Sequence, residues 1–299
     1  MSGTQPAISV VTVTWNSADT IEACVAPLAG HDDIEIVVVD NDSADDTLER
    51  VARAAPDATV VQTGANCGFA VGVNAGVAAA TGDTVILLNP DGAADADGLR
   101  RLAATLSDST VAAPRILDGA GAVTRSVRAH PTVRGQFAVA LGLHKLLRAL
   151  DPDDDFGATA TTEPLEVPVV SGACFAIPTA RFRDLGGLDE RFFLYGEEVD
   201  FCLRVAAAGG TIRYQPSIEV SHIGGVSAEK TGGGTDFIMF ESRVRLFAKH
   251  RGRLAAHLAR LALLILAARR RDQRALSAMR QPMSEILAPR HPTLDERRP

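Results

Sequence analysis

The stretch Ile34–Asp40 reads IEIVVVD, a nearly unbroken apolar run of mostly β-branched residues that stops on an aspartate. Strict alternation would mark a strand wet on one face. A continuous run marks a strand covered on both faces, the usual state in a parallel sheet. Working outward, the arrangement repeats. Before it stand AISVVTVTW (7–15), another β-rich run, and NSADTIEACVAPLAG (16–30), with helix-start chemistry and apolar residues at helical spacing. After it come SADDTLERVARAA (43–55), a helix with Ser43 or Asp45 as its cap, and ATVVQTG (58–64), a third strand. GFAVGVNAGVAAATG (68–82) is a helix of small residues, and TVILLNPDG (84–92) is a fourth strand. Strands alternating with helices imply βαβ units and a mainly parallel sheet, the α/β class.

Ligands of such sheets bind beyond the carboxyl ends of the strands. Polar residues gather at those ends: Thr14–Asn16, Asp40–Asp42, Asn66 and Asn89–Asp91. A single aspartate at a strand end is ordinarily a helix cap. Four consecutive strands delivering polar groups to one edge is a pattern that capping alone does not explain. No GxxxxGK[ST] loop occurs and no GxGxxG follows the first strand, which argues against ordinary ATPase and dinucleotide sites.

Composition agrees with a folded globular chain, 46% hydrophobic and 22% charged over 299 residues. Cys24, Cys67, Cys174 and Cys202 lie far apart with no CxxC or zinc spacing, as expected of free, mostly buried thiols. MSGTQPAISVV lacks the basic and apolar regions of a leader peptide, so a cytoplasmic place is expected, peripheral on the inner membrane face if the tail binds lipid. The formal charge of −7 conceals an asymmetry: residues 243–299 carry about +10 and residues 1–242 about −17. An acidic body speaks against nucleic acid as a partner. The division expected is a domain over 1–242 and a basic helical tail over 243–299. The tail's apolar run Leu261–Ala268 is far shorter than the ~20 residues of a membrane span. Two readings stand for it: an interfacial helix with arginines against anionic headgroups, or a helix packed on the body. Within the body, DPDDDFGATATTEP (151–164) is acidic and turn-rich, and reads as a mobile loop.

The stretch RFFLYGEEVDFCLR (191–204) sets Glu197, Glu198 and Asp200 within four positions, between apolar flanks. Carboxylates that close repel one another, and repulsion raises the pKa of one toward that of a working base. The run after Glu198 reads as a helix start, which would place the carboxylates at its positive end. Asp200 and Arg204 are then i,i+4 partners, giving Asp200 a structural role. An acidic helix start with exposed charges accounts for the cluster but not for Phe192–Tyr195 beside it, which suit the wall of a site or a core.

Six stretches in order, VTWNS (13–17), VVDNDSADDT (38–47), ANCGFAVGVNAGVAAATGDTVILLNPDG (65–92), VSGACFAIP (170–178), GGLDERFFLYGEEVDFCLR (186–204) and VSHIGG (220–225), resemble a family 2 glycosyltransferase of the GT-A fold. The nearest resemblance is to its rhamnosyltransferase-like branch, over about residues 8–225. The resemblance implies a Rossmann-like, mainly parallel mixed sheet flanked by helices. It also implies a nucleotide-diphosphate sugar donor, a divalent metal (Mg²⁺ or Mn²⁺) and inversion at the anomeric carbon. The acceptor class it implies is a cell-wall or polysaccharide glycan, lipid-linked through a polyprenyl diphosphate. Carried over by position, Thr14, Asn16, Asp40, Asn66, Asn74, Asn89 and Asp91 meet the nucleotide sugar. Asn89-Pro90-Asp91 stands where the family has a metal-binding DxD, leaving Asp91 as the one carboxylate ligand. His222 matches a histidine that completes the metal site. GEEVD matches the family's Glu-Asp-x-Asp, so Glu198 is the expected general base, although Glu stands where Asp is usual and Glu197 stays open for that role. Glu197 and Gly172 are the expected acceptor contacts. A sugar nucleotidyltransferase or a non-catalytic nucleotide-sugar-binding protein are the alternatives; TWNSADT lacks the basic, glycine-rich loop of the former.

Overall fold

The computed structural model describes residues 7–150, 157–158, 160–223 and 236–289. The expected loop at 151–164 lies partly, and Gly224–Gly225 of VSHIGG and the last ten residues wholly, outside them. The first four strands form as expected: β1 (Ile8–Thr14), β2 (Ile34–Asp40), β3 (Thr59–Gln62) and β4 (Thr84–Leu88). They pair in parallel, β2 between β1 and β3, and β1 between β2 and β4. Helices α1 (Ala18–Val25), α2 (Thr47–Ala54) and α3 (Phe69–Ala79) make the crossovers. Of Ser43 and Asp45, expected to cap α2, only Asp45 meets the helix: α2 starts at Thr47 with Asp46 at its N-cap position, and Asp45 Oδ1 accepts the Thr47 N–H at 3.2 Å. Ser43 instead bonds to Asp40, and Asp45 accepts the N–H of Ala18 at the start of α1.

Beyond β4 come β5 (Gly92–Ala93), α4 (Ala96–Ala103), β6 (Thr110–Leu117), β7 (Val127–Arg128), α5 (Val133–Ala140), β8 (Leu165–Glu166), β9 (Val169–Val170), β10 (Cys174–Pro178), α6 (Thr179–Asp184), α7 (Glu197–Ala207) and β11 (Thr211–His222). Among the described residues nine strands share one sheet, in the order β3-β2-β1-β4-β10-β6-β11-β5, with β8 on β11. β10 runs antiparallel between β4 and β6 and makes the sheet mixed. Both faces are packed: Val11, Val37, Val39 and Phe175 face one core, and Val10, Ile36, Val38 and Ile86 the other. This two-sided burial is the reason the strand runs do not alternate.

The small residues of α3 serve close approach. A Cβ on Gly72 would stand 2.6 Å from Val13 Cγ1, and one on Gly76 would crowd Val11 Cγ1 and Val39 Cγ2, the latter at 2.8 Å. The helix therefore lies directly on β1 and β2. All four cysteines are free; three are buried and Cys67 is half-buried. Burial pushes the Cys24 and Cys202 thiols up to about 12.

The chain continues in α8 (Asp236–Arg270), α9 (Gln273–Arg280) and α10 (Met283–Leu287). Residue 243, the expected start of the tail, falls inside α8; the non-helical residue in that helix is Gly252. Phe240, Val244 and Phe247 ahead of Gly252 share a core with Ala259, Leu263, Met279 and Ile286 beyond it, and α5 packs on the same helix. Part of the apolar run 261–268 is thus covered. Leu254, Leu258 and Leu261 on the opposite face are exposed. No helix among the described residues is long and apolar enough to cross a membrane.

Gly76→Ala is expected to destabilise the fold by about 1–3 kcal/mol through overpacking, read as a lower urea midpoint, because sheet side chains rather than solvent occupy the space a methyl would need.

Candidate active site

The in-step pairing of β1 and β2 sets Thr14 directly beside Asp40 at the carboxyl ends of the two strands. Asp40 is buried and accepts from Thr14 Oγ1 at 3.0 Å, from Ser43 Oγ at 2.6 Å and from the Ser43 N–H at 3.1 Å. Asn16 has a positive φ of 52°, a conformation asparagine tolerates better than most residues. Its N–H donates to Ser43 Oγ and its side-chain oxygen accepts from Ala44 N–H, each at 2.8 Å. The two strand-end loops are thereby stitched into one rim.

Asn41, which the sequence left unassigned, extends that rim. Its amide donates to Gly68 O at 3.0 Å and accepts from Thr63 Oγ1 at 3.0 Å. Asn66 accepts the Gly68 N–H at 3.2 Å and shapes the turn into α3. Gly68, with φ of 87°, leaves no room for a side chain, since a Cβ would collide with Phe193 O. Phe69 N–H donates to that same carbonyl at 2.7 Å. Asn74 lies further along α3, with both ends of its amide on Leu188 backbone and its nitrogen also on Glu190.

At the end of β4, Asn89, Asp91 and His222 meet. His222 Nε2 stands 3.1 Å from Asp91 Oδ1 and 3.2 Å from Asn89 Nδ2. Their separation in sequence is closed by β5, whose Gly92 pairs with His222 of β11. Both side chains are mostly covered, 10% exposed for Asp91 and 21% for His222. One carboxylate and one imidazole converging at a strand edge fit a divalent cation that takes its other ligands from diphosphate oxygens and water. Among the described residues no third His, Cys, Asp or Glu joins them.

The remaining carboxylates open α7. Tyr195 (φ 66°) and Gly196 (φ 88°) turn the chain sharply, so Glu197 and Glu198 begin the helix with no side-chain cap of their own. The two point to different surroundings. Glu197 is 5% exposed, and its Oε2 has no hydrogen-bond partner. Burial, with the neighbouring Glu198 charge added, raises its pKa well above the usual carboxylate range. Glu198 is half-buried, accepts the Gly196 N–H at 3.0 Å, and lines a pocket together with Tyr195, Met239 and Ser242. Gly172 lies against it; a Cβ there would stand 3.6 Å from Glu198 Cβ and 4.0 Å from Phe69 Cε1. The next residue, Ala173, accepts the Asn89 N–H at 2.9 Å. A continuous chain of contacts thus joins Asp40 through Gly68, Phe69 and Gly172 to Glu198, and through Ala173 to Asn89, His222 and Asp91.

Asp200 pairs with Arg204 as the i,i+4 spacing predicts, Nε to Oδ2 at 2.9 Å. Two further partners come from α8: the Lys249 ammonium at 2.6 Å and the His250 imidazole at 2.7 Å from Oδ1. No sequence signal announces these, because they lie some fifty residues away in a different element.

The parallel half carrying a nucleotide-type rim, the mixed half carrying the glutamates, and the pair at the end of β4 together make the GT-A architecture. The solved structures most like it in shape include GalNAc-T7 with UDP, GalNAc and Mn²⁺, at a TM-score of 0.58 and 19% identity over 81% of this chain and 48% of that one. Another is the mannosyltransferase PcManGT of Pyrobaculum calidifontis with GDP-Man and Mn²⁺, at 0.56 and 19% over 94% and 77%. The chain belongs to glycosyl transferase family 2, whose model matches residues 9–182. Among curated relatives, an N-acetylglucosaminyl-diphospho-decaprenol L-rhamnosyltransferase of Mycobacterium tuberculosis is 31% identical over 72% of this chain and 75% of its own. A hexosyltransferase of low-salt glycan biosynthesis in Haloferax volcanii is 27% identical over 83% and 75%. The protein is a glycosyltransferase of the rhamnosyltransferase-like kind.

Because burial raises the Glu197 pKa above its unfolded value, that burial weakens the fold as pH rises above the ordinary glutamate range. Glu197→Gln is therefore expected to raise the melting temperature at pH 8 by about 2–4 °C, the shift 1 kcal/mol gives in a domain of this size. At pH 4 the gain should vanish.

Proposed function

We propose that this protein transfers a sugar, rhamnose, from a dTDP-linked donor to a polyprenyl-diphosphate-linked glycan acceptor, with inversion at the anomeric carbon. The observation that carries the reading is that Glu198 lines a pocket which neither Asp91 nor His222 lines, while the adjacent residues Gly172 and Ala173 link it to that pair through Asn89. An inverting displacement needs a base on the acceptor side and charge stabilisation on the leaving-group side.

Asp40, held by Thr14 and Ser43, offers the base of the nucleotide a fixed acceptor, and Asn16 and Asn66 keep the loops around it in place. Asp91 and His222 would hold a divalent cation, which when bound neutralises charge on the donor's diphosphate. Asn89 beside His222 orients that imidazole. Glu198 takes the proton of the acceptor hydroxyl as its oxygen bonds to the anomeric carbon and the nucleoside diphosphate departs. Glu197, buried and protonated, leaves the pair's negative charge on Glu198, where the base needs it. Asn74, fully engaged by the 188–190 segment, positions that segment rather than a nucleotide.

A lipid-linked acceptor brings the reaction to a membrane surface. Leu146 is 81% and Leu254 75% exposed, the extremes of an apolar set that includes Leu141, Leu143, Leu147, Leu258 and Leu261. No aspartate or glutamate occurs in 119–150 or in 242–271, whereas arginines and lysines are frequent in both. Leucines among cations suit an anionic bilayer face.

Glu198→Gln should reduce transfer by about 10²–10⁴-fold, the usual worth of a positioned base, with donor binding by calorimetry unchanged. Retained turnover would remove Glu198 from the role. Asp91→Ala should abolish the Mn²⁺-dependent part of donor binding in the same assay, and equal affinity with and without the substitution would place the cation elsewhere. The wild-type chain should sediment with phosphatidylglycerol vesicles at low salt, be released at high salt, and ignore phosphatidylcholine vesicles.

A further inference from the structure

The pocket that Glu198 lines lies between the first turn of α7, the early turns of α8 and the 128–131 segment ahead of α5. Two of its walls carry guanidinium groups, Arg128 and Arg243, and the others are largely apolar, with Pro131, Met239 and Leu246. Arg128 is half-buried at the end of β7, and among the described residues its guanidinium has no hydrogen-bond or ion-pair partner. A guanidinium beside apolar walls and not engaged by a protein acceptor is available to an anion.

Glu198 is not that anion, since its Oε2 is held by the Gly196 N–H and it has no ion pair with Arg128. Neither Asp91 nor His222 lines this pocket, so an anion held there sits beside Glu198 rather than at the Asp91–His222 pair, as the second substrate would.

We propose that Arg128 and Arg243 form a phosphate subsite for the acceptor, holding the diphosphate that joins its sugar to its lipid; this rests on the transfer reaction proposed above. Guanidinium forks match phosphate oxygens in pairs, which a lysine cannot do. A diphosphate held at the pocket wall presents its attached sugar to Glu198. The acceptor's own phosphate bonds stay intact, and only its hydroxyl proton is lost, to Glu198.

The direction beyond the arginines is consistent with a lipid. The segment bearing Arg128 leads through α5 to Leu141, Leu143, Leu146 and Leu147. The helix bearing Arg243 leads to Leu254, Leu258 and Leu261. Arg269 Nη1 donates to Ala140 O, joining the far end of α8 to the start of the first leucine group. At about 100° per residue, Arg269 falls within about 60° of Leu254 on the helix, at the edge of the exposed stripe. A prenyl chain leaving the pocket thus meets one apolar, acid-free surface.

The test compares two acceptors, N-acetylglucosaminyl-diphospho-prenol and octyl β-N-acetylglucosaminide, which lacks phosphate. In Arg128→Gln and Arg243→Gln the preference for the diphosphate acceptor, as a ratio of kcat/KM values, should fall about ten-fold or more, the loss of 1.4 kcal/mol or more. KM for the nucleotide sugar should not change. Arg128→Lys should fall between wild type and Gln. Equal losses on both acceptors with an unchanged melting temperature, an unchanged preference, or a raised donor KM would each overturn the subsite. A Gln variant with a lowered melting temperature is replaced by its Lys counterpart, for which the same readings decide. Wild-type protein inert toward both acceptors would overturn the reaction itself, a result distinct from active protein that does not need its arginines.

Discussion

Asp200 has no exposure to solvent, yet two cations and an imidazole converge on its carboxylate. Arg204 comes from its own helix, and Lys249 and His250 from α8. Arg204 also donates to the carbonyls of Leu185 and Gly187, at 2.7 and 2.6 Å, and Lys249 reaches Asp189 at 2.7 Å. Burial alone would raise the Asp189 carboxyl, but hydrogen bonds from Arg191 and Lys249 outweigh it and hold it below the usual range. This group ties α7, α8 and the 185–191 segment into one piece. Removing one member of a buried ion group costs about 3–5 kcal/mol, because it strands the others without water. The orientation of Glu198 depends on it, since that glutamate sits half a turn from Asp200.

The same constraint changes the meaning of the C-terminal region. Its net positive charge looks like the property of an appendage, but Lys249 and His250 are spent inside the body, and Met239, Ser242 and Arg243 wall the pocket beside Glu198. The helical core around Phe247, Leu263 and Met279 then holds α8 firm beyond Gly252. The region is a working wall of the site. Only the outward face, with its leucines and arginines, is left to meet a surface.

Two adjacent glutamates show how environment divides roles. Glu197 and Glu198 have the same chemistry and the same helix dipole, and differ by about 100° around the helix. That rotation puts one carboxyl in the core, where burial raises its pKa, and the other at a pocket, held by one backbone N–H. A buried neighbour that favours its neutral form leaves the pair's charge to the carboxylate at the pocket.

Much of the fold was legible because local patterns and tertiary demands agree. Continuous β-branched runs can only be covered strands, and parallel strands must deliver their carboxyl ends to one edge. Thr14, Asp40, Asn89 and Asp91 follow from that, and Arg204 follows from helical spacing. The sequence by itself therefore determined the α/β class, the edge that bears the site and the residues crowded along it. It did not show that Ser43 binds Asp40 and that Asp45 joins the starts of α1 and α2, that Asn74 is occupied by Leu188 and Glu190, or that residue 243 falls inside a helix. Nor did it tell the surroundings of Glu197 from those of Glu198, join His222 to Asp91, or bring Arg128 to the pocket of Glu198. Most of these depend on contacts between residues far apart in the chain, and burial, which sets their charge and reach, exists only once distant elements have packed.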